Sequence, residues 1–178
     1  MIKEINIRRA LPADASLLSE LSRITFFDTF KDTCTAQDMR DFIADYFNMP
    51  QVEKELQDEN DFYFIAFIGE VAVGYFRIKE EESDVEIIKK YKNIELKRIY
   101  VLKEYLAQKV GAALMKFALE FAEQNKYELL WLGVWEHNER AKLFYNKFGF
   151  KDAGVMHPFP IGSTPQTDVW MYKLIKTA

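Results

Sequence analysis

Apolar and polar residues alternate in "EINIRR", where Ile5 and Ile7 stand between polar neighbours. This two-residue period predicts a half-buried strand near the start of the chain. The period then lengthens. In "LPADASLLSELSRITFF", Pro12 opens a helix, Asp14 lies near its positive end, and Leu17, Leu18, Leu21 and Ile24 fall on one face. "TAQDMRDFIADYF" predicts a second helix, capped by Thr35, with Met39, Phe42, Ile43 and Tyr46 on its apolar side. Pro50 suits the first turn of a short third helix, "PQVEKELQ". Strand periods return in "DFYFIAFIGEVAVGYFRIKE", two β-rich runs around "IGE" that predict a hairpin, and in "NIELKRIYVL". "VGAALMKFALEFAEQN" is helical, because Val110, Leu114, Phe117 and Phe121 recur at i, i+4, i+7 and i+11. "ELLWLGVW" predicts a buried strand. "NERAKLFYNKFGF" predicts a helix capped by Asn138 and ended at Gly149. Strands around "FKDAGVMH" and "TDVWMYKLI" close the chain. This order predicts an α/β arrangement, a mixed sheet with helices on its faces.

Length and composition narrow the class. The 178 residues suit one domain over 1–178, and 49% hydrophobic content supplies a core. A net charge of −4 gives no bulk basic footprint for nucleic acid. Cys34 is the one cysteine, so no disulfide forms within the chain, which fits a reducing cytosol. It reads as a small hydrophobe, not a nucleophile. His137 and His157 do not make a spaced ligand set, so no metal centre is expected. No apolar run approaches ~18 residues, and no membrane partner is expected. These features predict a soluble cytoplasmic protein.

The candidate chemistry begins at "YLAQKVGAALMKFALEFA", where a strand runs through a turn into a helix. The helix start offers the N–H groups of Val110, Gly111 and Ala112 to an anion. Gly111 lets the backbone approach an oxygen, and Lys109 adds a point charge for phosphate. Close packing is the competing explanation for small residues at such a position.

The wider stretch "ELKRIYVLKEYLAQKVGAALMKFALEFA", with "LWLGVWEHNERAKLFYNKFGF" after it, resembles the GNAT superfamily of acyl-CoA N-acyltransferases. Asn138, Ala141, Tyr145, Gly149 and Phe150 carry its N-x-x-A-x-x-x-Y helix and "GF" turn without a gap. The Q/R-x-x-G-x-G/A turn fits in two registers. "QKVGAA" fits literally, but counting from Gly111 sets Leu114, Met115, Ala118 and Ala122 in the expected small and apolar positions. We adopt the second register, in which Leu106 replaces Gln/Arg and Lys109 replaces the first glycine. A non-glycine residue held left-handed there costs ~1–2 kcal/mol. The hairpin and the C-terminal "HPFPIGSTPQTDVWMYKL", with His157, Phe159, Ile161, Gly162, Gln166, Asp168 and Met171, resemble the PaiA-like branch, linked to acetylation of polyamines and related amines.

The resemblance implies a mostly antiparallel sheet of about seven strands, splayed between two parallel central strands where acetyl-CoA enters. It implies that backbone groups of Ile99, Tyr100 and Val101 bond the pantetheine arm, and that the Val101 N–H polarises the acetyl carbonyl. Leu106, Ala107, Gln108, Lys109, Val110, Gly111 and Ala112 would hold the pyrophosphate, with Asn138, Ala141, Phe144 and Tyr145 beside the cofactor. Tyr145 would protonate the departing thiolate, whose thiol has a pKa of roughly 8.5. Glu95 stands at the family's spacing for a glutamate base, with a water chain as the alternative.

The implied reaction moves an acetyl group from acetyl-CoA to a primary amine of a small substrate by direct attack, without a metal. The alternative is a catalytically weak GNAT-fold module, CoA-binding or regulatory, suggested by Leu106 and Lys109. Phe26, Phe27, Phe30, Asp28, Asp32 and Asp41 make an aromatic and acidic set in the N-terminal third, and core packing with a solvated face explains most of them. An edge strand at "TDVWMYKLI" is the expected route to a homodimer.

Overall fold

The computed structural model describes residues 4–175. One seven-stranded sheet runs in the order β1 (Ile5–Arg9), β2 (Asp61–Ile68), β3 (Val71–Lys79), β4 (Asn93–Val101), β5 (Leu129–Trp135), β7 (Thr167–Leu174), β6 (Lys151–Pro158). Every neighbouring pair is antiparallel except β4 and β5. Three helices, α1 (Ala15–Phe30), α2 (Ala36–Tyr46) and α3 (Met49–Gln57), precede the hairpin. Helix α4 (Val110–Gln124) makes the crossover that a parallel pair needs, and α5 (Glu139–Lys147) follows β5. The α/β sheet with a central parallel pair is as the sequence led us to expect.

The local signals act as read. Thr35 accepts a hydrogen bond from the Asp38 N–H at 3.0 Å, and Asn138 accepts one from the Ala141 N–H at 3.0 Å, capping α2 and α5. Gly69 takes φ +60° in the hairpin turn. Pro12 opens a single 3-10 turn, Pro12–Asp14, and α1 proper begins at Ala15.

Two faces of the sheet are covered. Leu114, Met115, Ala118 and Ala122 of α4 pack on Phe76, Ile94, Leu130 and Leu132. On the other face, Leu18 and Leu21 of α1 pack on Tyr63, Ile65 and Tyr75. The face of α1 is rotated from the expected one. Ile24 is 42% exposed, whereas Thr25, Phe26 and Phe30 are buried. The cause is a second partner: Phe26 stacks on Phe42 of α2 at 4.6 Å, which turns α1 away from Ile24. Tyr46 ends up outside for the same reason. A buried charge cluster fastens α3 to the sheet. Arg77 reaches Asp61 at 2.5 Å and Glu55 at 2.9 Å, while Arg98 donates to Tyr63 at 2.8 Å.

Strand β7 lies inside the sheet, between β5 and β6. It presents no free edge, because its two ladders consume both sides. This corrects the expected route to a dimer through "TDVWMYKLI". The edges are β1 and β6. Among the described residues, no helix is long and apolar enough to cross a membrane.

Candidate active site

The pairing of β4 with β5 stops early. Asn93, Ile94 and Glu95 face Leu129, Leu130 and Trp131, and no further pairs join the two strands. Past Glu95 and Trp131 the strands part, so the β5-facing edge of β4 through Ile99, Tyr100 and Val101 has no ladder partner. Backbone groups on such an edge are free to bond an extended ligand. A bulge shapes this edge. Arg77 pairs with Arg98 and Ile78 with Leu96, which leaves Lys97 as the extra residue. Ile99 and Val101 therefore turn to the α4 side, while Arg98 and Tyr100 turn to the α1 side.

The turn after β4 carries two left-handed residues, Ala107 at φ 67° and Lys109 at φ 65°. Lys109 is the N-cap of α4, and its carbonyl accepts from the Ala113 N–H at 3.0 Å. The left-handed conformation at Lys109 agrees with the register that gives this residue a glycine's place. Left-handed residues on either side of Gln108 suit a nest of N–H groups for an anion, in which the Gln108 N–H is already donated to the Tyr105 carbonyl at 3.3 Å. Val110, Gly111 and Ala112 follow with helix-start N–H groups. The side chain of Gln108 bends back to the Glu104 carbonyl at 3.1 Å. Leu106 is exposed. A Cβ on Gly111 would come no closer than 3.8 Å to Phe144 and Val101, so neither α5 nor β4 forbids a side chain there.

Helix α5 closes the other side of the gap. Ala141 and Phe144 are half-buried against the core, and Tyr145 is buried beside Phe144 and Phe150. Burial, with the Asp168 charge added, pushes the Tyr145 phenol far above its ordinary value. It stays neutral at working pH, with its proton available to donate.

Two carboxyls on the α1 side of the sheet are raised. Burial pushes Glu95 up to about 7, against the pull of Lys97, whose Nζ lies 2.9 Å from it. Burial alone pushes Asp168 up to about 6. Its side chain covers Gly133, where a Cβ would meet an Asp168 oxygen at 2.9 Å. Glu95 sits at the closed apex of the gap and Val101 at the last position of β4. Six residue steps separate them by about 20 Å at ~3.3 Å each. One acetyl carbonyl cannot meet both directly.

The fold thus brings together Ile99, Tyr100, Val101, the 106–112 turn, Ala141, Phe144 and Tyr145 around one gap, with Asn138 at the start of α5 and Glu95 set apart at the apex. Of the N-terminal aromatics, Phe26 and Phe30 are core and Phe27 is exposed. Asp28 pairs loosely with Lys31 at 3.9 Å, and Asp41 accepts from Gln37. The Cys34 thiol is pushed up by burial and so stays protonated. The sequence marked neither the left-handed Ala107 nor the unpaired state of Asp168, which stood only as one letter of a motif. An open groove of about 710 Å³ between α1 and α2, lined by Phe27, Met39 and Met49, shares no residue with β4, β5 or the turn. Among the described residues, no cluster of His, Cys, Asp or Glu is set to hold a metal ion.

Comparisons with known proteins bear on the family and the fold. Residues 21–150 match the sequence profile described as the acetyltransferase (GNAT) family. An uncharacterised N-acetyltransferase in the pepI 3′ region of Lactobacillus delbrueckii subsp. lactis is 35% identical over 156 residues, 87% of this chain and 88% of that one. The crystal structure of PaiA N-acetyltransferase from Thermoplasma acidophilum in complex with coenzyme A superposes with a TM-score of 0.77 at 20% identity, over 96% of this chain and 99% of that one. A ribosomal-protein alanine N-acetyltransferase from Escherichia coli gives 0.69 at 16% identity, over 98% and 96% of the two chains. At these identities the solved structures share the fold.

Proposed function

The chain belongs to the acetyltransferase (GNAT) family, and on that premise we propose that it moves an acetyl group from acetyl-CoA to a primary amine of a small cytoplasmic substrate by direct attack. Acetyl-CoA supplies the activated thioester. The observation that carries the reading is the adjacency of an unpaired β4 edge and a left-handed nest at the start of α4. The edge suits a chain with amide groups, and the nest suits a pyrophosphate.

The residues take these roles. Backbone groups of Ile99 and Val101 orient the pantetheine amides, and an N–H of this edge, that of Val101, polarises the thioester carbonyl. The turn from Leu106 to Ala112 binds the pyrophosphate, with Lys109 adding charge. Asn138 uses its oxygen to cap α5, which leaves its amide to donate to the arm. Tyr145 donates to the sulfur as charge develops there. Outright transfer from so weak an acid to a thiolate is uphill, so the gain comes from the hydrogen bond in the transition state. Glu95 takes the amine's proton through water, given its distance from the end of β4.

A second reading is a catalytically weak module of the same fold, CoA-binding or regulatory. The non-glycine residues at Ala107 and Lys109 favour it. Thermal unfolding with acetyl-CoA and with free CoA tests both. A ligand at ~100 times its dissociation constant adds ~2.7 kcal/mol, which raises the midpoint by several degrees. No rise at millimolar ligand overturns the first reading and puts the regulatory form of the second ahead. A rise followed by turnover of any primary amine removes the second.

A further inference from the structure

Asp168 is the one raised carboxyl on this face without a protein partner. No hydrogen bond or ion pair from the described residues reaches it, and burial is the sole cause of its shift. The other buried acids nearby are engaged. Glu55 and Asp61 hold Arg77, Glu95 holds Lys97, and Asp38 holds Ser163 and Thr164. Asp168 is half-buried, open enough for a ligand to reach and desolvated enough that a carboxylate without a partner is disfavoured until a cation arrives.

Its surroundings say what kind of cation. Asp168 pairs across the ladder with Trp135, so both side chains stand on the α1 side of the sheet. Trp135 lies 5.7 Å from Phe30, and Phe30 lies 6.2 Å from Phe159. The Trp135 Nε1 is buried and has no acceptor. The Asp168 charge also acts on Tyr145 and on Tyr100, which Glu95 does not do. Asp168 faces Trp135, four residues along β5 past Trp131, on the part of the strand that β4 has left, whereas Glu95 faces Trp131 at the apex of the gap. His157 of β6, paired with Asp168 in register, is exposed and stacked on Trp170.

We propose that Asp168 is the recognition site for the acceptor's ammonium group, and that the acceptor is a monocationic amine with an aromatic or alkyl body held against Trp135, Phe30 and Phe159. This rests on the acetyltransferase reading above and narrows its substrate. One free carboxylate beside aromatic rings matches one positive charge and an apolar remainder. A polyamine brings further charges, and no second unpartnered carboxyl stands beside these rings among the described residues to meet them. The acceptor's one nitrogen is both the group that Asp168 holds and the nucleophile, so its proton leaves from that place through water to Glu95.

The test is calorimetric titration of amine into the full chain, alone and with saturating CoA, using benzylamine, benzyl alcohol and spermidine as probes. We expect benzylamine to bind at least tenfold more tightly than benzyl alcohol, and more tightly than spermidine. Asp168→Asn should reduce benzylamine binding at least tenfold and leave CoA binding within twofold. The isosteric amide guards against unfolding, and a thermal melt verifies it. Equal binding of benzylamine to wild type and variant, no binding of it to wild type, or a preference for spermidine would each overturn the proposal. Failure of CoA to bind would instead strike the acetyltransferase reading, since the amine titration is read separately.

Discussion

Lys97 Nζ stands 2.9 Å from a carboxylate oxygen of Glu95 and 2.9 Å from one of Glu81, so one ammonium serves two acids at the bulge in β4. This pairing holds Glu95 lower than burial alone would. The folded carboxyl titrates near 7 against an ordinary 4.5. Between those values the folded chain keeps a proton that the unfolded chain has released. Stability therefore falls as pH rises from about 4.5 to 7, and is level above. Glu95→Gln should flatten that fall in urea titrations. As the base, Glu95 must be ionised, so activity should climb through pH 7, and the Gln variant should lose roughly 10²-fold in kcat. Lys97→Met should move the acidic limb to higher pH. A limb unmoved by Lys97→Met would exclude Glu95.

Lys109→Gly addresses the strain in the turn. Releasing a left-handed lysine is worth ~1 kcal/mol, or about 2–4 °C in midpoint at this size. We expect the variant to melt higher and to bind acetyl-CoA about fivefold more weakly, from loss of ~1 kcal/mol of phosphate contact. The wild-type advantage should shrink in high salt, because an exposed charge is screened. Tighter binding by the variant would make Lys109 a defect and not a grip. Strain kept at a non-glycine residue is expected where a ligand repays it.

Gly111→Ala separates packing from binding. The protein has room for the methyl, at 3.8 Å from its nearest neighbours, and alanine favours the helix by ~0.5–1 kcal/mol. The variant should be no less stable than wild type. Its methyl would stand between Phe144 and Val101, in the gap assigned to acetyl-CoA, so binding should weaken at least fivefold. Unchanged binding in calorimetry would return Gly111 to a packing role.

Much of this was legible in periodicity and caps. The hairpin around Gly69, the caps Thr35 and Asn138, and the α4 face through Val110 and Leu114 follow from local residue chemistry. The rest depends on contacts distant in sequence. The buried face of α1 is set by Phe42, and the inner place of β7 by how β6 returns after α5. Lys97 as a bulge residue shows only when β3 is laid beside β4. The lack of a partner at Asp168 is a property of the assembled sheet and leaves no mark on its neighbours in the chain.

Tyr145→Phe tests the donor to sulfur. The buried ring packs on Phe144 and Phe150 without help from the hydroxyl, so stability and acetyl-CoA binding should hold. Turnover should drop about 10²-fold. Because the phenol titrates far above its ordinary value, any alkaline limb of the wild-type profile belongs to another group. It should survive in the variant. Loss of that limb would show that the phenol ionises in the working range, against the reading of a neutral donor.

The C-terminal motif has a mechanical part. Asp38 of α2 accepts from the Ser163 N–H at 3.0 Å and from Thr164 Oγ1 at 2.9 Å, and these bonds hold its carboxyl down to about 2. The Asp38 carboxylate occupies the space where a Cβ on Gly162 would stand, and Gly162 has φ +57°. Gln166 adds a bond from Nε2 to the Thr33 carbonyl at 3.0 Å. These contacts latch the 159–166 loop, with Phe159 and Ile161, onto the α1–α2 aromatic cluster. The depressed carboxyl contributes stability present above its ordinary 3.8 and lost as pH falls through about 2, so the latch should hold at neutral pH. Gly162→Ala should cost ~1–2 kcal/mol from backbone strain alone, and more from the collision. Asp38→Ala leaves Gly162 intact and should speed hydrogen exchange at the Ser163 amide. Both variants should raise KM for the amine while leaving acetyl-CoA binding unchanged, because the loop carries Phe159 and, among the described residues, makes no hydrogen bond to β4 or the turn. Protection of the Ser163 amide in Asp38→Ala would mean that the loop is held by Phe159 and Ile161 packing, and that the carboxylate only follows.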